Sequence, residues 1–137
     1  MSGRILTIAY RDGHDIDLDQ LAHLFVTAGW PHRAADKGKL ALLVSRSLYV
    51  STAHDGDRLV AFARALSDGV SNAYVSTVCV LPDYRGRGIG REMVRRMVER
   101  EGGHAIRWVL HARTALHPFY RLNGFEEASE ILWRDRR

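Results

Sequence analysis

Polar and apolar residues alternate along residues 4–10, RILTIAY, and this two-residue period predicts a first β-strand with one buried face. The period then lengthens. In LDQLAHLFVTAGW the apolar residues recur every three or four positions, which predicts an amphipathic helix. Asp17 or Asp19 can cap the start of this helix, and Gly29 followed by Pro31 ends it. The chain is therefore predicted to begin with a strand and a capped helix.

The middle of the chain has the pattern of a helix followed by β-strands. ADKGKLALLVSRS predicts a second helix, although Gly38 lies near its start. LYVSTAHDGDRLVAFARAL contains two β-rich runs joined around Asp55-Gly56, a dipeptide typical of tight turns, so a β-hairpin is predicted. The polar turn SDGVSN then leads into a strand over residues 73–81.

The last part of the chain alternates between strands and helices. A helix is predicted from Gly88 to about Glu101, a strand over AIRWVLHA, a short helix over HPFYRLNG and a final strand over FEEASEILWRD. No repeat, linker or low-complexity tract interrupts this order, so residues 1–137 are predicted to form a single domain. A meander followed by two βα units predicts an α/β fold, with a mixed sheet and helices on both faces.

The composition is that of an ordinary globular domain. Of the 137 residues, 46% are hydrophobic and 26% are charged. Cys79 is the only cysteine, which excludes an intrachain disulfide and a cysteine-rich zinc site, and nothing in the pattern predicts a metal. The start of the chain lacks an apolar leader, and no run approaches the ~20 apolar residues that span a bilayer. We therefore expect a soluble, cytoplasmic protein without a membrane partner.

Arginine and glycine are concentrated in RGRGIGR, residues 85–91, between a predicted strand and a predicted helix. Gly86, Gly88 and Gly90 permit positive φ and leave room for a ligand to approach the backbone. The start of the following helix adds unpaired N–H groups and the positive end of its dipole. This loop is therefore predicted to bind phosphate oxygens, which fits the net charge of +4.

Other classes of phosphate or nucleic-acid site fit this segment less well. The spacing is not that of GxxxxGK[ST], and no lysine lies nearby, which disfavours a P-loop. It is also not GxGxxG in a strand-first βαβ unit, which disfavours a Rossmann domain. The arginines further along the helix lie opposite an apolar stripe and predict a solvated face, so nucleic acid is not the expected partner.

Two motifs carry a resemblance to a known family. VCVLPDYRGRGIGREMV resembles the central motif of the GCN5-related N-acetyltransferase (GNAT) superfamily, which is Arg or Gln, two residues, Gly, one residue, then Gly or Ala. Here these positions are Arg85, Gly88 and Gly90. HPFYRLNGFEE, residues 117–127, is similar to a later motif of the family, an aromatic–tyrosine pair on a short helix followed by Gly-Phe. The motifs stand in the family's order, and the predicted elements agree over nearly the whole chain.

The resemblance implies a mixed, mostly antiparallel central sheet with a splayed pair of central strands and helices on both faces. It also implies an enzyme that moves the acetyl group of acetyl-CoA to a primary amine, by direct attack in a ternary complex. In the family, the pantetheine arm pairs with the strand before the loop, and the pyrophosphate lies on the loop amides. The implied cofactor contacts are Val78, Cys79 and Val80 on the strand, and Arg85, Gly86, Arg87, Gly88, Ile89, Gly90 and Arg91 in the loop.

Acetyl transfer needs an acid for the departing thiolate and a way to deprotonate the amine. Tyr120 corresponds to a position where the family often has a tyrosine near the CoA sulfur, so the resemblance implies that it is the acid. The strand over 73–81 lacks the glutamate that many members have there. His111 at the end of its strand, His117 and an ordered water chain are the candidate bases. Arg113 stands where the family often has an asparagine that contacts the cofactor.

The acceptor is expected to lie against residues 28–50 and 66–74. These segments carry aromatic and charged side chains, namely Trp30, His32, Arg33, Lys37, Tyr49, Asp68 and Tyr74. An aromatic-lined entrance suits a small arylalkyl amine, while a protein lysine, a protein N-terminus and an aminoglycoside stay open as acceptors. An acyl-CoA-binding regulatory module without turnover is the alternative function. Dimers are common in the family, and the predicted last strand could pair with a second copy to give a homodimer.

Overall fold

A five-stranded sheet with the strand order β1-β2-β3-β4-β5 organises the computed structural model, which describes residues 7–100 and 105–134. The strands are β1 (Ile8–Asp12), β2 (Tyr49–Asp55), β3 (Arg58–Ser67), β4 (Asn72–Val80) and β5 (Arg107–Val109). Neighbours from β1 to β4 pair antiparallel, whereas β4 and β5 pair parallel. The sheet is therefore mixed and mostly antiparallel, and the predicted fold class is confirmed.

The helices are α1 (Leu18–Thr27), α2 (Pro31–Ala34), α3 (Lys37–Ser45), α4 (Ile89–Val98) and α5 (His117–Arg121). The short helix α2 was not predicted from the sequence. Pro31 was expected only to end α1, but it also occupies the first position of α2, where its missing N–H costs nothing. Asp17, rather than Asp19, caps α1, because its carboxylate accepts from the N–H groups of Asp19 and Gln20 at 2.9 and 3.1 Å.

Helices α1 and α4 cover opposite faces of the sheet. Phe25 of α1 packs on Phe62 of β3, with ring centroids 5.7 Å apart. Phe62 pairs with Cys79 of β4, and the next residue, Val80, faces Gly90 of α4. Successive side chains of a strand point to opposite faces, so the two helices lie on different sides. The core between these layers is closed, since Phe25 and Phe62 are fully buried.

Strand β4 carries an extra residue and then separates from β5. Arg64 and Ala65 of β3 pair with Thr77 and Val75, which leaves Ser76 as the additional residue of a β-bulge. The parallel pairing with β5 covers only Asn72 to Tyr74. From Val75 to Val80, the side of β4 that faces away from β3 therefore has no strand partner among the described residues. This is the predicted splay of the two central strands.

The predicted final strand is wrong for the described part of its range, residues 125–134, where no strand forms. Strand β5, predicted over 105–112, is only three residues long and offers little backbone for a further strand to pair with. The segment contacts α5 instead, through ion pairs of Glu127 with His117 and Arg121. Leu132 and Trp133 are 96% and 73% exposed as a result. A few ends of predicted elements lie outside the described residues, namely residues 4–6, Glu101 and Asp135.

Candidate active site

The loop between β4 and α4 has the backbone geometry that its glycines permit, with one exception. Gly86 and Gly88 adopt φ values of 75° and 79°, and Gly88 is the residue that precedes the first turn of α4. Gly90 does not have a positive φ. A Cβ at Gly90 would lie 3.2 Å from Cζ of Phe119 and 3.5 Å from Cγ2 of Val80. Gly90 is therefore required for the packing of α5 against the start of α4, not for an unusual φ.

A run of backbone N–H groups in this loop has no acceptor within the described chain. The first backbone hydrogen bond of α4 runs from Glu92 N to Gly88 O at 3.0 Å, and the last one before it runs from Arg85 N to Pro82 O. The N–H groups of residues 86 to 91 lie between these two bonds and make none. Such donors at the positive end of a helix dipole are suited to an anion.

Arginine side chains surround the loop in different ways. Arg85 turns back, and its Nε donates to the carbonyl oxygen of Val80 at 3.0 Å. The guanidinium of Arg87 lies 5.8 Å from the ring centroid of Tyr84. Both arginines and Arg91 are exposed. The loop therefore combines positive charge with outward-facing N–H groups.

Tyr120 is held beside the loop by the packing of α5. Its ring stacks on Phe119 with centroids 4.9 Å apart and meets the edge of Phe125 at 6.0 Å. Asn123 fixes the end of the helix by donating from Nδ2 to the carbonyl oxygen of Arg91 at 3.1 Å. Burial raises the pKa of Tyr120 above its usual value. Its hydroxyl has no hydrogen-bond partner in residues 7–100 and 105–134, so it is a protonated donor without a competing acceptor.

The two candidate histidines differ in what they bind. His111 is exposed, with Nδ1 at 2.8 Å from the hydroxyl of Tyr74 and its ring 5.3 Å from that of Trp133. His117 has both nitrogens engaged, Nδ1 with Glu127 at 3.1 Å and Nε2 with the carbonyl oxygen of Ala112 at 3.0 Å. Only His111 keeps a ring nitrogen, Nε2, for another partner.

Cys79 is a buried residue, and its thiol is unsuited to be a nucleophile. Burial raises the pKa of the thiol to about 12, and Sγ lies 3.7 Å from the carbonyl oxygen of Phe62. The interpretation of this side chain as a small buried hydrophobe is consistent with that geometry.

Arg113 is exposed at the start of a 3₁₀ turn over Thr114–Leu116. No cluster of three metal-ligating side chains occurs in the described residues, and no described helix is long and apolar enough to cross a bilayer.

Only part of the predicted acceptor surface comes together. Tyr49 is buried against Trp108 with centroids 5.1 Å apart, so it belongs to the core. Asp68 closes the turn between β3 and β4 by accepting from the N–H groups of Val70 and Ser71, both at 2.8 Å. Lys37 pairs with Asp19 at 3.0 Å. Tyr74, by contrast, lies where β4 and β5 separate.

Arg64 is a buried arginine that the sequence analysis missed. It lies on β3, is 8% exposed, and donates to the hydroxyls of Thr77 at 3.0 Å, Ser76 at 3.1 Å and Ser47 at 3.3 Å. The signal was present in RLVAFARAL, where a charged residue interrupts an apolar run that is too long for an exposed strand. The β-rich pattern on both sides of Arg64 hides this interruption, because the residues around it still fit a hairpin strand.

Comparison with known proteins identifies the family. The family described as Acetyltransferase (GNAT) domain matches residues 45–127. The chain is 36% identical over 118 residues to serotonin N-acetyltransferase 2, chloroplastic, of Oryza sativa subsp. japonica, covering 84% of this chain and 59% of that protein. It is 32% identical to histone acetyltransferase TAP1 of Glycine max, covering 93% of this chain and 60% of that protein.

A solved structure agrees with this assignment. A putative acetyltransferase from Deinococcus radiodurans superimposes with a TM-score of 0.79 at 27% identity, covering 98% of this chain and 93% of that one. The chain therefore belongs to the GNAT acetyltransferase family, as its two motifs predict. It spans about three fifths of the length of the two curated relatives above.

Proposed function

We propose that the chain is an acetyl-CoA-dependent N-acetyltransferase that acetylates a primary amine of a small molecule by direct attack in a ternary complex. The observation that carries this proposal is the run of N–H groups from residue 86 to residue 91, at the end of the open edge of β4. A diphosphate needs several such donors, because a helix dipole alone contributes only about 0.3–1 kcal/mol.

The open edge of β4 supplies the second half of the cofactor site. The backbone of Val78, Cys79 and Val80 lies beyond the last residue that pairs with β5, so it can hydrogen-bond an extended amide chain such as pantetheine. The contacts in the loop would come from backbone amides at Gly86, Arg87, Gly88, Ile89, Gly90 and Arg91, with Arg85 adding charge. Arg113 has no described contact that ties it away from a bound nucleotide.

The chemistry can be assigned to groups of this chain. An N–H of β4 at or near Val78 polarises the thioester carbonyl as the amine nitrogen forms its bond to the carbonyl carbon. The C–S bond then breaks, and Tyr120 donates its proton to the departing sulfur. His111 takes the amine proton on Nε2 when its Nδ1 proton is donated to the hydroxyl of Tyr74.

The aromatic rings near this base favour a small, aromatic amine. Tyr74, His111 and Trp133 form a continuous set of ring contacts at the point where β4 and β5 separate. Such a surface can cover the ring of an arylalkyl amine, and the name of the rice relative refers to an amine of that kind. Acetylation of a protein lysine or N-terminus is the alternative, which the name of the soybean relative suggests. The cytoplasmic location and the homodimer stay predictions, and the rice relative is named as chloroplastic.

The first test is a calorimetric titration with acetyl-CoA of the wild type, Gly88→Glu and Gly13→Glu. Both glycines have positive φ, of 79° and 124°, and open space around the position of a Cβ, so neither variant creates a steric clash. The control is at least as strained as Gly88→Glu, because 124° lies further from the left-handed region that side chains can adopt. Gly13 follows the edge strand β1 at the far side of the sheet from β4. We expect binding to be lost in Gly88→Glu and kept in Gly13→Glu. The proposal would be wrong if the wild-type protein did not bind acetyl-CoA.

Turnover separates an enzyme from a regulatory module that only binds acetyl-CoA. With phenethylamine as the acceptor, we expect Tyr120→Phe to lower kcat for CoA release by roughly 100-fold, since it loses a general acid. The ring contacts with Phe119 and Phe125 remain, so acetyl-CoA affinity should be kept. Binding without CoA release from any small amine, peptide lysine or peptide N-terminus would instead support the regulatory module.

A further inference from the structure

Arg64 lies in the protein interior without a carboxylate partner among the described residues. A guanidinium has five N–H donors, and the structure gives Arg64 three acceptors, the hydroxyls of Ser47, Ser76 and Thr77. Two N–H donors are therefore left over, on a side chain that is only 8% exposed. Burying a charge whose hydrogen-bond partners are all neutral hydroxyls is costly, and the fold does not recover this cost through the three bonds that Arg64 makes.

The hydroxyls around Arg64 are arranged to leave its charge uncompensated. Ser47 donates its own proton to the carbonyl oxygen of Leu43 at 2.7 Å, so it can only accept from Arg64. The nearby guanidinium of Arg33 adds more positive charge and, after burial, is the second cause that lowers the pKa of Arg64 to about 10. Arg64 therefore stays charged at neutral pH.

Arg64 contacts the strand that carries Tyr74, which binds the proposed base. Ser76, the extra residue of the β4 bulge, is half-buried and binds Arg64 directly. Tyr74 lies close enough to affect the pKa of Arg64, and its hydroxyl is bonded to His111, the proposed base. The residue that Arg64 binds, Ser76, thus stands two positions along β4 from the tyrosine that binds the proposed base.

We propose that Arg64 binds a carboxylate carried by the acceptor, so that the preferred substrates are small amines that also bear a carboxylate, of which an aromatic amino acid is the simplest example. The inference rests on the proposed function, because it names the acceptor of the same site. The two N–H donors without partners match the two oxygens of a carboxylate, and the ligand supplies the negative charge that the fold omits.

The test compares matched acceptors within each protein. Phenylalanine and phenethylamine differ by the carboxylate, and the ratio of their kcat/KM values cancels changes that affect both. We expect the wild type to favour phenylalanine by roughly 10- to 100-fold, the worth of a hydrogen bond to a charged group. In Arg64→Met the ratio should fall to about one. Methionine fits an apolar interior, and replacing a buried charge in this way is often tolerated.

A second variant keeps Arg64 and offsets its charge from within the protein. Thr77→Asp places a carboxylate beside Nε of Arg64, which is 3.0 Å from the present hydroxyl, so it neutralises the charge that would attract the carboxylate of the substrate. Thr77→Asn has the same shape without the charge and is the matched control. We expect the phenylalanine preference to fall in Thr77→Asp by at least about tenfold relative to Thr77→Asn.

A binding measurement decides the inference even if no amine is acetylated. N-acetylphenylalanine and N-acetylphenethylamine, titrated into the protein saturated with CoA, report the carboxylate contact without turnover. A preference for the acid that disappears in Arg64→Met supports the inference. Equal binding of the two, or a preference that Arg64→Met keeps, overturns it. Absence of turnover with every amine would count against the proposed function alone.

Discussion

His111 and His117 lie near each other in the sequence, yet their ring nitrogens are occupied to different extents. His117 is used on both sides, by Glu127 and by the carbonyl oxygen of Ala112, and so fixes α5. His111 has one hydrogen bond, with Tyr74, and is exposed. At the scale of single residues, the proposed base is therefore distinguished by a free nitrogen atom rather than by its residue type.

Replacing each histidine by alanine should separate these roles. We expect His111→Ala to lower kcat/KM by roughly 100-fold, because the amine loses its general base. His117→Ala should act mainly by lowering the melting temperature, since it releases α5 from its two contacts. Added imidazole is the decisive readout: it should restore part of the activity of His111→Ala and none of His117→Ala. Rescue of His117→Ala alone would assign the base to His117.

Most of the proposed site could be predicted from residue types and spacing. The arginine–glycine loop and Tyr120 belong to short motifs, which can be recognised from neighbouring residues in the sequence. Arg64 could not be found in this way, because its significance comes from Ser76 and Thr77 of β4 and from Ser47 between α3 and β2, all distant from Arg64 in the sequence. Gly90 was predicted for the wrong reason, since its neighbour Phe119 comes from a distant helix.

At the scale of elements, α4 is stabilised on its outer face by a charge network. Glu92 accepts from Arg95 at 2.7 Å and from Arg96 at 2.9 Å, and Arg95 also reaches Glu99 at 2.7 Å. The hydrogen bond from Arg95 is the largest cause that lowers the pKa of Glu92 to about 2. The opposite face of α4 carries Met93, which is fully buried. Arg95 and Arg96 are thus engaged along the surface of the helix, as a solvated face requires.

This network predicts how stability changes with pH. The pKa of Glu92 is lower in the folded protein, so its contribution is present above the ordinary value of 4.5 and is lost as the pH falls towards about 2. Chemical denaturation should show Glu92→Gln to be less stable than wild type by about 1 kcal/mol at pH 7, a small value because the pair is at the surface. This difference should shrink at pH 3. Glu99→Gln, which loses a single pair, should show a smaller difference, and a constant difference across pH would contradict the argument.

Element boundaries were predictable where local chemistry decides them and not where pairing does. Asp17 and the glycines mark the ends of α1 and the start of α4 through their own backbone or side-chain preferences. The strand expected at residues 125–134 fails because β5 provides only three residues, a property of its neighbour rather than of its own sequence. Alternating apolar residues are thus insufficient where the partner strand is short.

At the scale of the whole molecule, the fold concentrates positive charge at one end of β4, around the loop that leads into α4. The net charge is +4, and exposed arginines at 85, 87 and 91 surround the loop. The helices on both faces followed from the predicted order of elements, and the separation of β4 from β5 was implied by the family resemblance. The bulge at Ser76 was not predicted, because a bulge depends on how two strands align.

The charge at the loop predicts a salt dependence for the cosubstrate. Raising ionic strength from about 0.05 to about 0.5 M should increase the KM for acetyl-CoA several-fold, because exposed charges are screened. The KM for an amine without phosphate groups, such as phenethylamine, should change less than the KM for acetyl-CoA. Initial rates measured at saturating concentrations of the other substrate separate the two effects. If the KM for acetyl-CoA did not change with ionic strength, the phosphates of acetyl-CoA would bind away from these arginines.

The edge of β4 from Val75 to Val80, which lacks a strand partner in the described part of the chain, has a consequence for how long the protein persists in a cell. A sheet whose missing neighbour is supplied by a metabolite is complete only while that metabolite is bound. Occupancy at 100 times the dissociation constant would add about 2.7 kcal/mol to the stability of the fold. On the proposed function, the resistance of this chain to unfolding and proteolysis would therefore rise and fall with the supply of acetyl-CoA, which makes its abundance respond to nutrition.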